Sequence, residues 1–185
     1  MPVHLNYVSG MFEPTDDPLV QSYTAARADW FDREGGYNHQ QATKPQTLAY
    51  GLTDSPAGLA GWIIEKFRTW SDCGDNVENV FSRDELLTNI SIYWLTGTIA
   101  SSMRIYKESR RQPLRFAAGQ RVGPPLGFAR FPAEIPTPSR ALLQRFFDLR
   151  QYTEMPRGGH FAAMEQPALL AGDIRTFFRP LRQGT

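Results

Sequence analysis

Arg157-Gly158-Gly159-His160-Phe161-Ala162-Ala163-Met164-Glu165-Gln166-Pro167 is the stretch on which the reading of this chain turns. A strand-like run, Leu149 to Met155, leads into it. A helical pattern follows, carried by Leu169, Leu170, Ile174, Phe177, Phe178 and Leu181. One histidine therefore sits on a glycine-rich turn between a strand and a helix. Glycine admits backbone conformations that a side chain forbids. Loops at the edge of a rigid scaffold are where catalytic groups are commonly mounted. Alone, a loop histidine is an ordinary solvated side chain. The elements on either side give this one its interest.

The same alternation lies just upstream. Val122-Gly123-Pro124-Pro125-Leu126-Gly127-Phe128-Ala129 reads as a short strand with a bent entry, ended by Phe131-Pro132-Ala133-Glu134. Ser139 caps a helix carrying Leu142, Leu143, Phe146 and Phe147. The last third thus reads strand, helix, strand, helix, the α/β pattern of a parallel sheet. Val3 to Val8 alternates in part and reads as one further strand. After it come a loop, Ser9 to Pro18, and a helix from about Leu19 to Arg33, broken by Gly35-Gly36. Tyr37 to Asp54 is polar and irregular or short-helical. Asp54-Ser55-Pro56 opens a helix to Trp70 with Leu59, Ala60, Ile63, Phe67 and Trp70 on one face. Ser71 to Val80 is a loop. Ser82-Arg83-Asp84-Glu85 is a capping box. It opens a long helix to about Glu108 that runs through Gly97.

Composition narrows the function classes. The 185 residues suffice for one domain with a core, and a net charge of +1 gives no basic field for nucleic acid. The single cysteine, Cys73, rules out an internal disulfide framework and reads as a surface-loop residue between aspartates. No apolar run is long enough to span a bilayer, and Met1-Pro2-Val3-His4 is no signal peptide, so the expectation is a soluble, cytoplasmic protein. His4, His39 and His160 are far apart and lack second ligands at helical spacing, so neither a metal nor a cofactor is expected. No strand feeds a Gly-x-Ser-x-Gly elbow or an aspartate or cysteine equivalent. Ala171-Gly172-Asp173 lies inside the last helix. Asn89-Ile90-Ser91 matches a glycosylation acceptor but lies within an apolar helix and reads as chance.

What remains is a pair. Glu134 follows one strand and His160 the next, with one helix between them. In a parallel sheet both emerge at the carboxyl edge, where ligands bind. A carboxylate there holds an imidazole in one tautomer and stabilises its cation. Taken by itself, Glu134 reads as a surface glutamate.

Several segments, in order, resemble the microsomal-type epoxide hydrolases, which are α/β-hydrolases. The stretch around His160 is similar to their catalytic-histidine segment, and Gly127-Phe128-Ala129-Arg130-Phe131-Pro132-Ala133-Glu134 to their acid segment. Tyr93-Trp94-Leu95-Thr96-Gly97-Thr98-Ile99-Ala100-Ser101-Ser102-Met103-Arg104-Ile105-Tyr106 looks like the lid helix with one catalytic tyrosine. Gly36-Tyr37-Asn38-His39-Gln40-Gln41-Ala42-Thr43-Lys44-Pro45 looks like the lid segment with the other, and Asp54-Ser55-Pro56-Ala57-Gly58-Leu59-Ala60 like a further signature.

The resemblance implies a partial α/β-hydrolase fold. Residues 1–8 would be a sheet strand, 9–112 a helical lid and 113–185 the C-terminal part of the core. It implies a small-molecule epoxide and water as reactants. Tyr37 and Tyr106 would act as proton donors to the oxirane oxygen, His160 as general base and Glu134 as its charge-relay acid. The nucleophilic aspartate and the oxyanion segment would belong to an N-terminal half outside this chain. An incomplete sheet implies weak folding or self-association of the isolated chain. A catalytically inactive fragment, or a remnant that binds apolar ligands, is the alternative. Esterase or dehalogenase chemistry does not call for two phenols at a departing oxygen.

Overall fold

Val122–Arg130 becomes the central strand of a three-stranded sheet in the computed structural model, which describes residues 1–8 and 11–182. In chain order the strands are β1 (Val3–Leu5), β2 (Met11–Phe12), β3 (Arg115–Phe116), β4 (Val122–Arg130) and β5 (Phe147–Glu154). The sheet order is β1-β4-β5, and both pairings are parallel. Phe128 stands opposite Leu5 on one side and Tyr152 on the other. Parallel strands are covered on both faces and read as near-continuous apolar runs. Accordingly Leu126, Phe128 and Ala129 are buried. The bent entry is a register shift between Val122 and Pro125, where two prolines offer no N–H to the ladder.

Packing divides the chain into two units. One comprises Met1–Ala28, Trp70–Asp72 and Arg115–Thr185, and the other Asp29–Thr69 and Cys73–Leu114.

In the first unit, β1 is shorter than the strand expected over Val3 to Val8, because the chain turns at Asn6 and uses that side chain elsewhere. The loop expected from Ser9 to Pro18 contains β2, which pairs in parallel with β3. Ser9 and Gly10 lie outside the described residues. Helix α1 (Pro18–Glu34) begins where Asp17 Oδ1 accepts the Leu19 N–H, and Asp17 also pairs with Arg145. Its residues Val20 and Tyr23 join Phe12, Phe116, Phe128, Leu142, Leu143 and Phe146 in the main core. Ser139 caps α7 (Arg140–Phe146) by accepting the Leu142 N–H at 3.2 Å. The final helical pattern is two helices, α8 (Ala162–Glu165) and α9 (Pro167–Phe178), because Pro167 cannot continue α8. Asp173 of α9 is structural. It sits 2.7 Å from His4 Nε2 in a pair with both side chains buried, and it accepts a 2.6 Å bond from Thr153.

The second unit is helical. The stretch read as polar and irregular or short-helical is α2 (Gly36–Thr43) and α3 (Pro45–Asp54), with Pro45 opening the second. α4 spans Pro56–Thr69. The capping box forms as expected: Ser82 Oγ accepts the Glu85 N–H, and the Glu85 carboxylate accepts the Ser82 N–H. The long helix it opens is a correction. The chain makes α5 (Arg83–Thr96) and α6 (Ile99–Arg111), separated at Gly97, whose φ of +62° is the left-handed conformation that ends a helix. Ala49, Leu52, Leu59, Ile90, Ile99 and Met103 form this unit's core. Cys73 is a second correction. It is buried, with its thiol 3.2 Å from the Arg68 carbonyl. No helix among the described residues is long and apolar enough to cross a membrane.

Candidate active site

The carboxyl ends of three adjacent parallel strands supply one cluster. β1 leads to Asn6 and Tyr7, β4 to Glu134 and β5 to His160. The loops after β4 and β5 are tied to each other before any side chain is considered. Met155 N donates to Arg130 O at 2.8 Å, Ala133 N to Gly158 O at 3.1 Å, and Ala133 and Gly159 form an isolated parallel bridge. Both loops are thereby fixed as extensions of the sheet.

Glu134 is not a surface glutamate. Its side chain is 1% exposed. Oε1 lies 2.5 Å from His160 Nδ1 and also accepts the Ile135 N–H at 2.8 Å, while Oε2 accepts from Asn6 Nδ2 at 3.2 Å. Every neighbour offers a hydrogen, so the carboxylate acts as acceptor and His160 carries its proton on Nδ1. Nε2 is then the nitrogen left to take a proton. The imidazole is a quarter exposed and stands edge-on among the rings of Tyr7, Trp70 and Phe161, with centroids 5.3 to 5.5 Å away. Tyr7 is held in turn by Arg27, whose guanidinium donates to the phenol oxygen at 2.5 Å. An imidazole with one nitrogen anchored, walled by aromatic rings and open on one side, is equipped to accept a proton from water.

The backbone under His160 is fixed by two carboxylates. Glu165 is buried, and its Oε2 accepts the N–H groups of Asp72 and Gly159 at 2.9 Å. Its Oε1 accepts that of Phe161 at 2.9 Å. Burial pushes this carboxyl up from its usual range, the three amides oppose the shift, and the nearby Asp72 carboxylate adds to it. Asp72 Oδ2 accepts the Gly158 N–H at 2.8 Å, and His160 N donates to Trp70 O at 2.8 Å. The glycines are required. Gly158 has φ +105°, and a Cβ on Gly159 would stand 2.6 Å from Trp70 O.

Tyr37 and Tyr106 both lie in the helical unit, on α2 and α6, with ring centroids 5.8 Å apart in an edge-to-face pair. Lys66 Nζ lies 5.2 Å from the Tyr37 centroid. Of the four residues singled out in the sequence, the structure thus joins Glu134 to His160 and Tyr37 to Tyr106. Asn6, Tyr7, Trp70, Asp72 and Glu165 were missed. Of these, only Glu165 lay inside a quoted motif, and its role depends on partners far along the chain. A separate hollow of about 330 Å³, lined by Leu19, Tyr23, Arg130, Arg140, Tyr152 and Glu154 among others, contains none of the four. No group of metal ligands occurs among the described residues.

A carboxylate and a histidine following adjacent strands of a parallel sheet define an α/β-hydrolase core. The comparisons with known proteins are more specific. A putative epoxide hydrolase of Stigmatella aurantiaca is 44% identical over 185 residues, covering 97% of this chain and 41% of that protein. Epoxide hydrolase 1 of Sus scrofa is 48% identical over 160 residues, covering 82% of this chain and 35% of its own length. The solved structure of Aspergillus niger epoxide hydrolase superposes with a TM-score of 0.77 at 26% identity, over 97% of this chain and 46% of that one. No family model matches. The chain belongs to the epoxide hydrolases of the α/β-hydrolase fold, and it spans less than half the length of these relatives.

Proposed function

We propose that this chain supplies the water-activating base and the oxygen-protonating phenols of an epoxide hydrolase, and that the nucleophile comes from the portion of the family's length that it does not span. An aspartate carboxylate attacks one oxirane carbon, the C–O bond breaks, and Tyr37 or Tyr106 protonates the departing oxygen. His160 Nε2 then takes a proton from water as its oxygen attacks the ester carbonyl carbon. The C–O bond from the acyl carbon to the substrate breaks, and the departing alkoxide takes the proton held by His160 and leaves as the diol. The newly formed carboxyl returns its proton to the tyrosine phenolate, so that carboxylate, imidazole and phenol are all restored. Glu134 holds the imidazole and balances its transient charge. The observation that carries this reading is the 2.5 Å contact between a buried Glu134 carboxylate and His160 Nδ1 at the ends of adjacent strands. Phenols suit the first step because they are neutral donors near pH 7 that tolerate an apolar pocket.

The test is reconstitution with the remaining half from a relative. His160→Ala should accumulate the covalent ester in quenched-flow trapping without releasing diol, since the first step needs no base. Tyr37→Phe with Tyr106→Phe should slow ester formation itself by about 10²–10⁴-fold, the usual loss for a positioned acid. Equal loss of ester formation in the histidine variant would refute the assignment of His160.

A further inference from the structure

We infer that Glu165, with Asp72 as its second, is the positioning residue of His160: its carboxylate sets where the imidazole stands. This rests on the reading of His160 as the base. Four consecutive amides, Gly158 to Phe161, all donate outside regular secondary structure, and three of the four end on these two carboxylates. Glu165 brackets the histidine, one oxygen taking the amide before it and the other the amide after it. The same carboxylate takes the Asp72 N–H, and so anchors the segment whose Trp70 carbonyl receives the amide of His160 itself.

A side chain placed only for packing would not be a carboxylate here. Glu165 is buried and has no ion-pair partner among the described residues, and a buried charge without a cation is costly unless hydrogen bonds replace its water. Three N–H groups converging on two oxygens do that, and no neutral side chain of this length offers the same. Glutamine would turn an NH₂ toward at least one of the three donors. The requirement comes from the loop, because Gly158 and Gly159 leave its backbone with little rigidity of its own.

The experiment uses the intact 185-residue chain and NMR of labelled histidine at about pH 8, where a free imidazole is neutral. In the wild type, the amides of Gly158 to Phe161 should exchange with solvent at least tenfold more slowly than those of an exposed turn. The His160 ring should report one tautomer, protonated at Nδ1. Glu165→Gln should speed exchange at Gly159 and Phe161 by tenfold or more and yield a mixture of tautomers, while strand amides of β4 and β5 keep their shifts. Asp72→Ala should act the same way, more weakly and centred on Gly158, and it decides the matter if the glutamine variant does not fold. A glutamine variant that lowers stability but leaves the single tautomer intact would overturn the inference, as would fast exchange of these amides in the wild type. Glu134→Leu, which leaves the Nδ1–H without an acceptor at that position, separates the two readings. If it leaves the tautomer unchanged, the Glu134–His160 pairing has failed, whatever Glu165 does.

Discussion

Adding one methyl group at Gly159 is the sharpest probe of the loop that carries the histidine. A Cβ there would stand 2.6 Å from Trp70 O, 3.0 Å from Ser71 Cα and 3.1 Å from Ala133 O. All three are backbone atoms, so no rotamer change relieves the clash. Either the loop after β4 or the Trp70–Asp72 segment must move. Forcing an extra methyl into a packed site costs about 1–3 kcal/mol. For a chain of 185 residues that lowers the melting temperature by roughly 2–4 °C per kcal/mol. Gly172→Ala is the paired control. It lies in α9 with nothing within 4 Å of the new methyl, and it should stabilise by about 0.5–1 kcal/mol. Urea unfolding and thermal melts of the two variants beside the wild type give the comparison. The clash also displaces the carbonyl that receives the His160 amide, so Gly159→Ala should lose reconstituted diol release well beyond its loss of stability. Refutation would be a Gly159→Ala chain within about 0.5 kcal/mol of wild type, the range of an ordinary surface change.

Two further outcomes follow from single residues. Burial pushes the Tyr23 phenol from 10.0 to about 12 against the opposing pull of Arg27. The unfolded chain therefore ionises first, so the stability Tyr23 contributes is intact below pH 10 and is lost as pH rises toward 12. The amount is about 2–3 kcal/mol, and Tyr23→Phe should flatten that alkaline limb in denaturant titrations across pH. Ser139→Ala removes the acceptor for the Leu142 N–H at the start of α7, directly ahead of the buried Leu142 and Leu143. It should lower stability by about 1 kcal/mol by urea unfolding, and Ser139→Asp should restore most of it.

The sequence made the sheet legible because its strands announce themselves: a Val-to-Arg apolar run, then a capped helix, then a second run ending at a glycine pair. Placing Glu134 and His160 at neighbouring strand ends required only that order and the parallel rule. The rest of the loop's support was not legible, because it joins residues 86 and 93 positions apart through backbone amides, which every residue type possesses. Asn6 was hidden for a related reason: it looks like strand, and only the turn after Leu5 frees its side chain for Glu134. Gly97 reads as an interior residue of one long helix, because a single glycine is tolerated there. Its left-handed φ belongs to the folded chain and has no sequence signature beyond glycine itself. Cys73 reads as exposed because aspartates and glycine surround it, yet the turn folds its thiol back onto the end of α4.

The placement of Trp70–Asp72 bears on how far the helices can be traded between relatives. A graft replacing everything from Asp29 to Leu114 with a foreign set would also carry off the Trp70 carbonyl and the Asp72 carboxylate, and with them two of the moorings of the histidine loop. The natural seam of this chain has four cut points, after Ala28, Thr69, Asp72 and Leu114. A chimera that keeps the native Trp-Ser-Asp between two borrowed helical segments preserves the base, whereas one cut only at the outer pair has to find a new support for it.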